Sequence, residues 1–386
     1  MRRKSFESYF AMVNKSREPP DKSELEVSIF GPGVGECVVV HLGDGHWMVV
    51  DSCLSHSGRP VALEYLEQLG VSPAEQVVLI GASHWHDDHC KGLADVVKAT
   101  PMANFWCSMA LRKDEFLTLL SAGRRAMVES SGVDELHDCL RHLQHRAPPG
   151  KQPAAGGPGW AIANRLLWRS TLSTGEEVAV WALSPSDADV TRALRGFEKL
   201  LPKEKEPRRR FPKQRANAAS VVMWIDVKAH RVLLGGDLET ERDRDRGWQG
   251  VLASQRSNRA RASVFKVPHH GSCNAHHDDV WAELLEDQPI AAITPYRPSK
   301  LPRASDLRRL SGHTEQAFLT ASPEGHRPSR RSNAVERTIR EVALARRSLT
   351  TAVGHVRVRA PLNASQNNPP TVELFDGARH VGEELG

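Results

Sequence analysis

A chain of 386 residues, 40% hydrophobic and with nine tryptophans, can bury a sizeable core as one large α/β domain with additions, or as two domains. Its net charge of +5 is modest; no stretch approaches the roughly 18 apolar residues of a membrane helix, and Met1-Arg2-Arg3-Lys4 has no apolar run behind it, so neither a membrane segment nor a signal peptide is expected. Six cysteines at 37, 53, 90, 107, 139 and 273, without a Cys-x-x-Cys pair, exclude a disulfide scaffold or zinc ribbon and point to reduced thiols in a cytoplasmic setting.

After an N-terminal extension at 1–24, residues 25–30, 36–41 and 46–51 alternate or run apolar and predict three consecutive strands separated by glycine turns. The third ends in Asp51, an acid placed to orient a liganding histidine. Pro60 to Leu69, apolar at 61, 63, 66 and 69, predicts a helix that stops at Gly70. A short buried strand at 76–80 leads into Ser83-His84-Trp85-His86-Asp87-Asp88-His89-Cys90-Lys91-Gly92, where four metal-type side chains stand at i, i+2, i+4 and i+5. On a loop leaving a strand, i and i+2 project the same way, so His84 and His86 can clasp one cation, and a turn then presents Asp88 and His89 to a second. Imidazole and carboxylate are the donors expected for zinc or a similar first-row metal. A lone histidine is more often structural than a ligand, but four such groups in six residues are not.

A helix through Val97 and a strand at 104–107 come next. Residues 111–147 read as a long, mostly helical insertion, and 147–159, rich in Pro and Gly, as a flexible surface loop. Strands resume at 178–183, 219–227, 231–236 and 263–267, with a basic loop at 202–215 between the first two. Val232-Leu233-Leu234-Gly235-Gly236-Asp237 is an apolar strand whose glycines let the backbone turn sharply, leaving Asp237 at its tip. Val267-Pro268-His269-His270-Gly271-Ser272 repeats that design with imidazoles. Singly, a strand-end aspartate is usually a turn former and a His-His pair a surface feature; beside the 83–92 segment they gain a different meaning. Segments 354–359 and 371–375 are expected to complete the second of two sheets. Blocks of strands with helices between them suit two sheets packed face to face and covered outside by helices.

The segments Gly33 to Val40, Val50-Asp51-Ser52, Ser83 to Gly92, Asn217-Ala218-Ala219-Ser220, Leu234 to Asp237 and Val267 to Ser272 stand in an order that resembles the metallo-β-lactamase-fold hydrolase superfamily, whose signature is His-x-His-x-Asp-His. Within it, they are most similar to the branch of the hydrolase domain of the competence protein ComEC. The resemblance covers about 25–300 and implies an α/β, four-layer αβ/βα sandwich with a helical insertion, the hydrolase domain occupying 25–386. It also implies two divalent metal ions, zinc with manganese as the alternative. His84 and His86 would hold the first, Asp88 and His89 the second, with Asp237 bridging and His270 in the place of the family's later liganding histidine. His269 is then left to support a ligand or transfer a proton, and Asn217 and Ser272 stand close behind. One departure matters. Most members place a third histidine for the first metal in a Gly-His-Thr setting between the His-x-His segment and the bridging acid. Of His137, His142, His145 and His230, none stands in such a context, and the Asn-x-x-Ser segment at Asn217 fits the ComEC-like branch instead. Gly312-His313-Thr314 resembles the absent motif but follows the last ligand, and is set aside.

Two cations sharing a water would lower its pKa toward neutrality and make it a nucleophile. Asp88 would anchor that water, and His269 or the Ser272 hydroxyl would protonate or steady the leaving group. Charge suggests the substrate. Lys203 to Arg215 lies just before Asn217, and Arg208, Arg209, Arg210 and Arg215 could neutralise phosphates; Arg327 to Arg347 adds a second basic series. No aromatic stacking platform is evident, which speaks against sequence-specific recognition. The expected function is a cytoplasmic metallo-hydrolase, a phosphodiesterase or nuclease acting on nucleic acid. Two alternatives remain: a hydrolase of a small ester, thioester or lactam with 111–147 as a lid, and a non-catalytic subunit with a degenerate metal site.

Overall fold

The computed structural model describes residues 18–112, 131–146, 158–198, 216–227, 230–254, 261–324, 353–362 and 369–385. An alternating run forms β1 (Glu24–Phe30), followed antiparallel by β2 (Cys37–His41) and β3 (Trp47–Val50), all nearly buried on both faces. β4 (Val77–Ala82), β5 (Asn104–Ser108) and β6 (Gly159–Ala161) then add in parallel, with helices Val61–Gln68 and Leu93–Ala99 in the crossovers. β7 (Arg165–Thr171), β8 (Glu177–Ala182), β9 (Met223–Val227) and β10 (His230–Leu234) form an antiparallel meander. β11 (Ala262–Lys266), β12 (Leu285–Ile293) and β13 (Ala317–Leu319) extend it in parallel. β14 (His355–Pro361) and β15 (Thr371–Phe375) return to the first sheet, and β16 (Arg379–His380) closes the second.

Two eight-stranded sheets result among the described residues, ordered β15-β14-β1-β2-β3-β4-β5-β6 and β16-β13-β12-β11-β10-β9-β8-β7. Alternation along each strand sends one set of side chains between the sheets and the other under the helices. Val27, Ile29, Val38, Val40 and Val50 meet Val180, Ile225, Val232, Leu234 and Val264 in the middle layer. Val39, Val49 and Ile80 pack outward against Leu66, Val96 and Val97, while Leu233, Phe265 and Ala291 pack against Trp248, Leu307 and Leu310. This is the helix–sheet–sheet–helix sandwich the sequence predicts.

Four expectations change. Residues 355–361 and 371–375 complete the first sheet, not the second, because β14 lies on the open edge of β1. Val356 and Val358 align with Ile29 and Val27, and Arg359 donates to Glu26 (2.8 Å), so apolar and ionic complementarity agree on that partner. The 219–227 strand starts only at Met223, since Asn217–Ala219 is a 3-10 turn. The described part of the insertion, helix Ser131–Arg146, is not a lid: Leu136, Cys139 and Leu143 are buried in the core beneath the 83–92 segment. Residues 113–130, and most of the 147–159 loop, lie outside the described residues. Finally, β6, β7, β12, β13 and β16 were not anticipated; β12 is masked by its exposed Glu286-Asp287-Gln288. No helix among the described residues is long and apolar enough to cross a membrane.

Candidate metal centre

The parallel strands of both sheets point their C-terminal ends to one edge, where the loops are free to carry chemistry. β3 ends in Asp51, held at φ 59°. β4 runs into Ser83–Cys90, with His86 capping the single turn Asp87–Cys90. β10 runs into Gly235-Gly236-Asp237. Gly236 sits at φ 52°, and a Cβ there would meet Ser220 Oγ at 2.5 Å, so only glycine leaves room for that hydroxyl, which accepts from the Asp237 amide (3.0 Å). β11 runs into His269, His270 and Gly271, three successive left-handed residues at φ 48°, 54° and 78°. Such backbone persists only where its surroundings over-determine it. Here the His269 amide donates to Gly236 O (3.1 Å) and Arg309 donates to Gly271 O (2.7 Å).

Three imidazoles are oriented from behind through Nδ1. His89 Nδ1 donates to Asp51 Oδ2 (2.8 Å) and His270 Nδ1 to the Thr294 carbonyl (2.8 Å). His84 Nδ1 lies 3.0 Å from Ser83 Oγ, which itself donates to Asp51 Oδ2 (2.7 Å). Each therefore turns Nε2 inward as the lone-pair nitrogen, the arrangement expected of metal-binding histidines. On the inner side His84 Nε2 is 3.1 Å from His86 Nδ1 and 3.9 Å from Asp237 Oδ2. Asp237 Oδ1 is 3.3 Å from His89 Nε2, while His270 Nε2 is 3.0 Å from Asp88 Oδ2 and 3.8 Å from Asp237 Oδ2. Donors around one tetrahedral cation, bonded at about 2.0–2.2 Å, stand about 3.3 Å apart. Moreover, His89 Nε2 and Asp237 Oδ1 are buried without a hydrogen-bond partner, a costly arrangement unless something else satisfies them. The residues fit two divalent cations: His84, His86 and Asp237 could hold one, and His89, Asp237 and His270 the other, where Glu36 also comes within 4.8 Å and Asp88 Oδ2 stands 3.0 Å from His270 Nε2 and 3.8 Å from His89 Nε2.

Charge in the site is unbalanced. Burial pushes the His89 imidazole down, but the carboxylates of Asp237, Glu36, Asp88 and Asp51 outweigh it and hold the pKa well above the usual value. His270 is raised in the same contest, burial against Asp237, Glu36 and Asp88. Burial favours protonated Asp237, yet His89, His270 and His84 keep its carboxyl well below the usual range. His84, fully buried and beside the His89 and His86 imidazoles, is lowered well below its usual value and stays neutral. The cluster thus demands positive charge, which protons supply in the absence of cations.

A second ring was only partly anticipated. Glu36, within the Gly33–Val40 segment, carries no local signal of a role. It lies behind the imidazoles, 3.5 Å from His89 Nδ1 and 3.7 Å from His270 Nδ1, and accepts from Thr294 Oγ1. Lys266, unexpected from the sequence, is fully buried in β11; its Nζ is 2.5 Å from Glu36 Oε1 and donates to Gly236 O (2.9 Å). A lysine inside the apolar run Val264-Phe265-Lys266-Val267 was the available signal. Asn217 sits beside His269, its Nδ2 3.2 Å from His269 Nε2 and 3.1 Å from Glu239 Oε1. Glu239, likewise unanticipated, is 3.5 Å from His269 Nδ1. Ser272 continues the turn, its amide donating to His269 O (2.9 Å), and lines a pocket with His276 and Trp281. Of the four imidazoles considered for the third histidine, His230 donates through Nε2 to Pro361 O (3.0 Å) at the far end of β10, and His137, His142 and His145 lie on helix Ser131–Arg146. Arg208, Arg209, Arg210, Arg215 and the 327–347 series lie outside the described residues.

Residues 30–135 match the family model described as the Metallo-beta-lactamase superfamily, a stretch that holds Asp51, His84, His86, Asp88 and His89. No curated protein matches the sequence. Among solved structures, the metallo-beta-lactamase fold protein YhfI from Bacillus subtilis is similar at 12% identity, over 79% of this chain and 98% of that one, with a TM-score of 0.37. A metallo-beta-lactamase from Cronobacter sakazakii is similar at 14% identity over 62% and 76%, with a TM-score of 0.32. MEM-A1, a subclass B3 metallo-beta-lactamase from a soil metagenome library, is similar at 14% over 70% and 87%, with a TM-score of 0.31.

Proposed function

The chain carries a metallo-beta-lactamase superfamily domain, and on that premise we propose that it is a metal-dependent hydrolase of phosphodiesters, with nucleic acid as the substrate. The fold is that of a metallo-hydrolase superfamily, and the inward-facing His and Asp donors supply two sites for divalent cations. Bound there, such cations would provide Lewis acidity and a water of lowered pKa. The residues of the chain do the rest. Asp51, Ser83 and Thr294 fix the tautomers of three imidazoles, and Asp237 lies between the two donor sets. His269, held between Asn217 and Glu239 and only partly buried, is placed to hand a proton to a leaving oxygen.

One observation carries the choice of substrate. The Lys203–Arg215 segment runs directly into Ala216 and Asn217, and Asn217 stands 3.2 Å from His269, so the basic segment is covalently tethered to the edge of the donor cluster. The ComEC-like order of motifs supports the same reading. The test is an activity screen of metal-replete protein against single- and double-stranded DNA, RNA and a small phosphodiester, with ester and lactam substrates alongside. Asp237→Ala should abolish turnover and leave nucleic-acid binding. Replacing Arg208, Arg209 and Arg210 with alanine should weaken binding and flatten its salt slope by up to about one unit per lost contact. Hydrolysis of esters or lactams with no phosphodiester cleaved would replace this reading by the small-molecule one.

A further inference from the structure

We propose that His276, Asp278 and His313 form a separate zinc-type site that pins the 272–279 segment to the turn after helix Ala304–Ser311. Their donor atoms lie within 4.8 Å of one another. Asp278 Oδ1 is 2.9 Å from His276 Nε2 and 3.6 Å from His313 Nε2, and the two imidazole centroids are 5.0 Å apart. Donors sharing a tetrahedral cation stand about 3.3 Å apart, so relaxing one hydrogen bond by a few tenths of an ångström makes room for an ion. The short His276–Asp278 contact alone could be a local turn. It does not account for His313, which arrives from a different element and aims the same nitrogen type at the same oxygen.

The donors are held in advance. The His313 ring lies flat on Trp281, centroids 4.7 Å apart at 15°, and the His276 carbonyl accepts from Thr240 Oγ1 (2.9 Å). Burial lowers the pKa of both imidazoles, so each offers a lone pair at neutral pH. Two imidazoles and one carboxylate form a donor set zinc accepts, and the exposure of Asp278 leaves a fourth position to water. Gly312-His313-Thr314, which has no place in the main centre, gains a use here. So does the segment itself: Asn274, within it, donates to Glu239 Oε1 (3.0 Å), the carboxylate that also accepts from Asn217 and faces His269. An ion at this site would therefore stiffen the wall beside His269 without touching the main donors. The inference stands whether or not phosphodiesters are the substrate.

Zinc titration of the metal-stripped full chain against a competing chelating dye tests it, with zinc-dependent melting as a second readout. Asp278→Asn changes an exposed side chain, so folding is retained, and it should lower the affinity of one zinc equivalent at least tenfold; His313→Ala should remove that equivalent. Asp237→Ala, which disrupts the main centre, should still bind and be stabilised by one zinc, and lose both when His313→Ala is added. Equal zinc counts and affinities in wild type, Asp278→Asn and His313→Ala would overturn the site, as would an Asp237→Ala protein that binds no zinc.

Discussion

Lys266 offers the sharpest test of how the site is held. Its side chain is buried, with Nζ 2.5 Å from Glu36 Oε1, 2.9 Å from Gly236 O and 4.0 Å from Asp237 Oδ1. Lys266→Met keeps the length of the stem and removes the charge. Glu36 then remains buried with Oε1 deprived of its nearest cation and left only the more distant His89 Nδ1 at 3.5 Å, and Gly236 O loses a donor. Breaking a buried ion pair from one side costs about 3–5 kcal/mol, a large part of the ~5–15 kcal/mol that stabilises a typical domain. At a urea slope of about 2 kcal/mol/M, the midpoint of the metal-free protein should fall by roughly 1.5–2.5 M. Adding Glu36→Gln removes the stranded charge and should restore much of the loss. The coupling energy across the four-protein cycle should therefore reach about 2 kcal/mol, within the range of contacting pairs. Additivity within about 0.5 kcal/mol would show that the two charges are not coupled, and would refute this account of why a buried lysine ends β11.

The two donor sets should be separable by elemental analysis. Asp88→Ala or His89→Ala should remove mainly one cation and His84→Ala mainly the other; unchanged metal counts in all three variants would refute the assignment. Stability should also depend on pH in a way that metal abolishes. His89 and His270 hold protons more tightly folded than unfolded, so in the metal-free protein their stabilisation is complete below the ordinary value of 6.5 and is lost as pH rises through their folded pKa values. Asp88 and Asp237 work in the opposite sense, their contribution present above 3.8 and lost as pH falls through their depressed values. Buried neutral His41, His84 and His355 lose stability only below 6.5, so a comparison starting near pH 7 leaves them out. Melting temperature of the metal-free protein should fall between about pH 7 and pH 8, before the buried cysteines, whose thiols burial pushes up from 9.0, contribute in the same direction, and bound zinc should remove or invert that trend. A flat profile without metal would count against the charge balance described above.

Local signals were legible in the sequence, and distant ones were not. The ligand segment at 83–92 could be read because a strand followed by close-set donors fixes its own geometry within a few residues. Asp237 and His270 were readable for the same reason, each at the end of an apolar run. Glu36 and Lys266 escaped because their significance lies in each other and in Thr294, 258 residues from Glu36 in sequence. Periodicity shows which face of β14 is buried but not which edge it joins, and so the tail was placed on the wrong sheet. Asn217 is legible as a residue close behind the ligands, but which side chain it meets, His269, depends on the turn at Asn217–Ala219.

The pairing of β14 with β1 has a bearing on how the chain is made. Arg359 reaches Glu26 across 333 residues, and Leu25, Val27 and Ile29 face their partners only when β14 arrives. During synthesis the first sheet therefore emerges with an open, apolar edge and keeps it until the segment beyond residue 355 has left the ribosome. Contacts of such separation slow folding, and an unpaired edge of this kind invites strands from other chains. A protein truncated before β14 would carry every donor of the metal centre and yet expose that edge permanently, so its expected fate is aggregation during expression and not a smaller working domain.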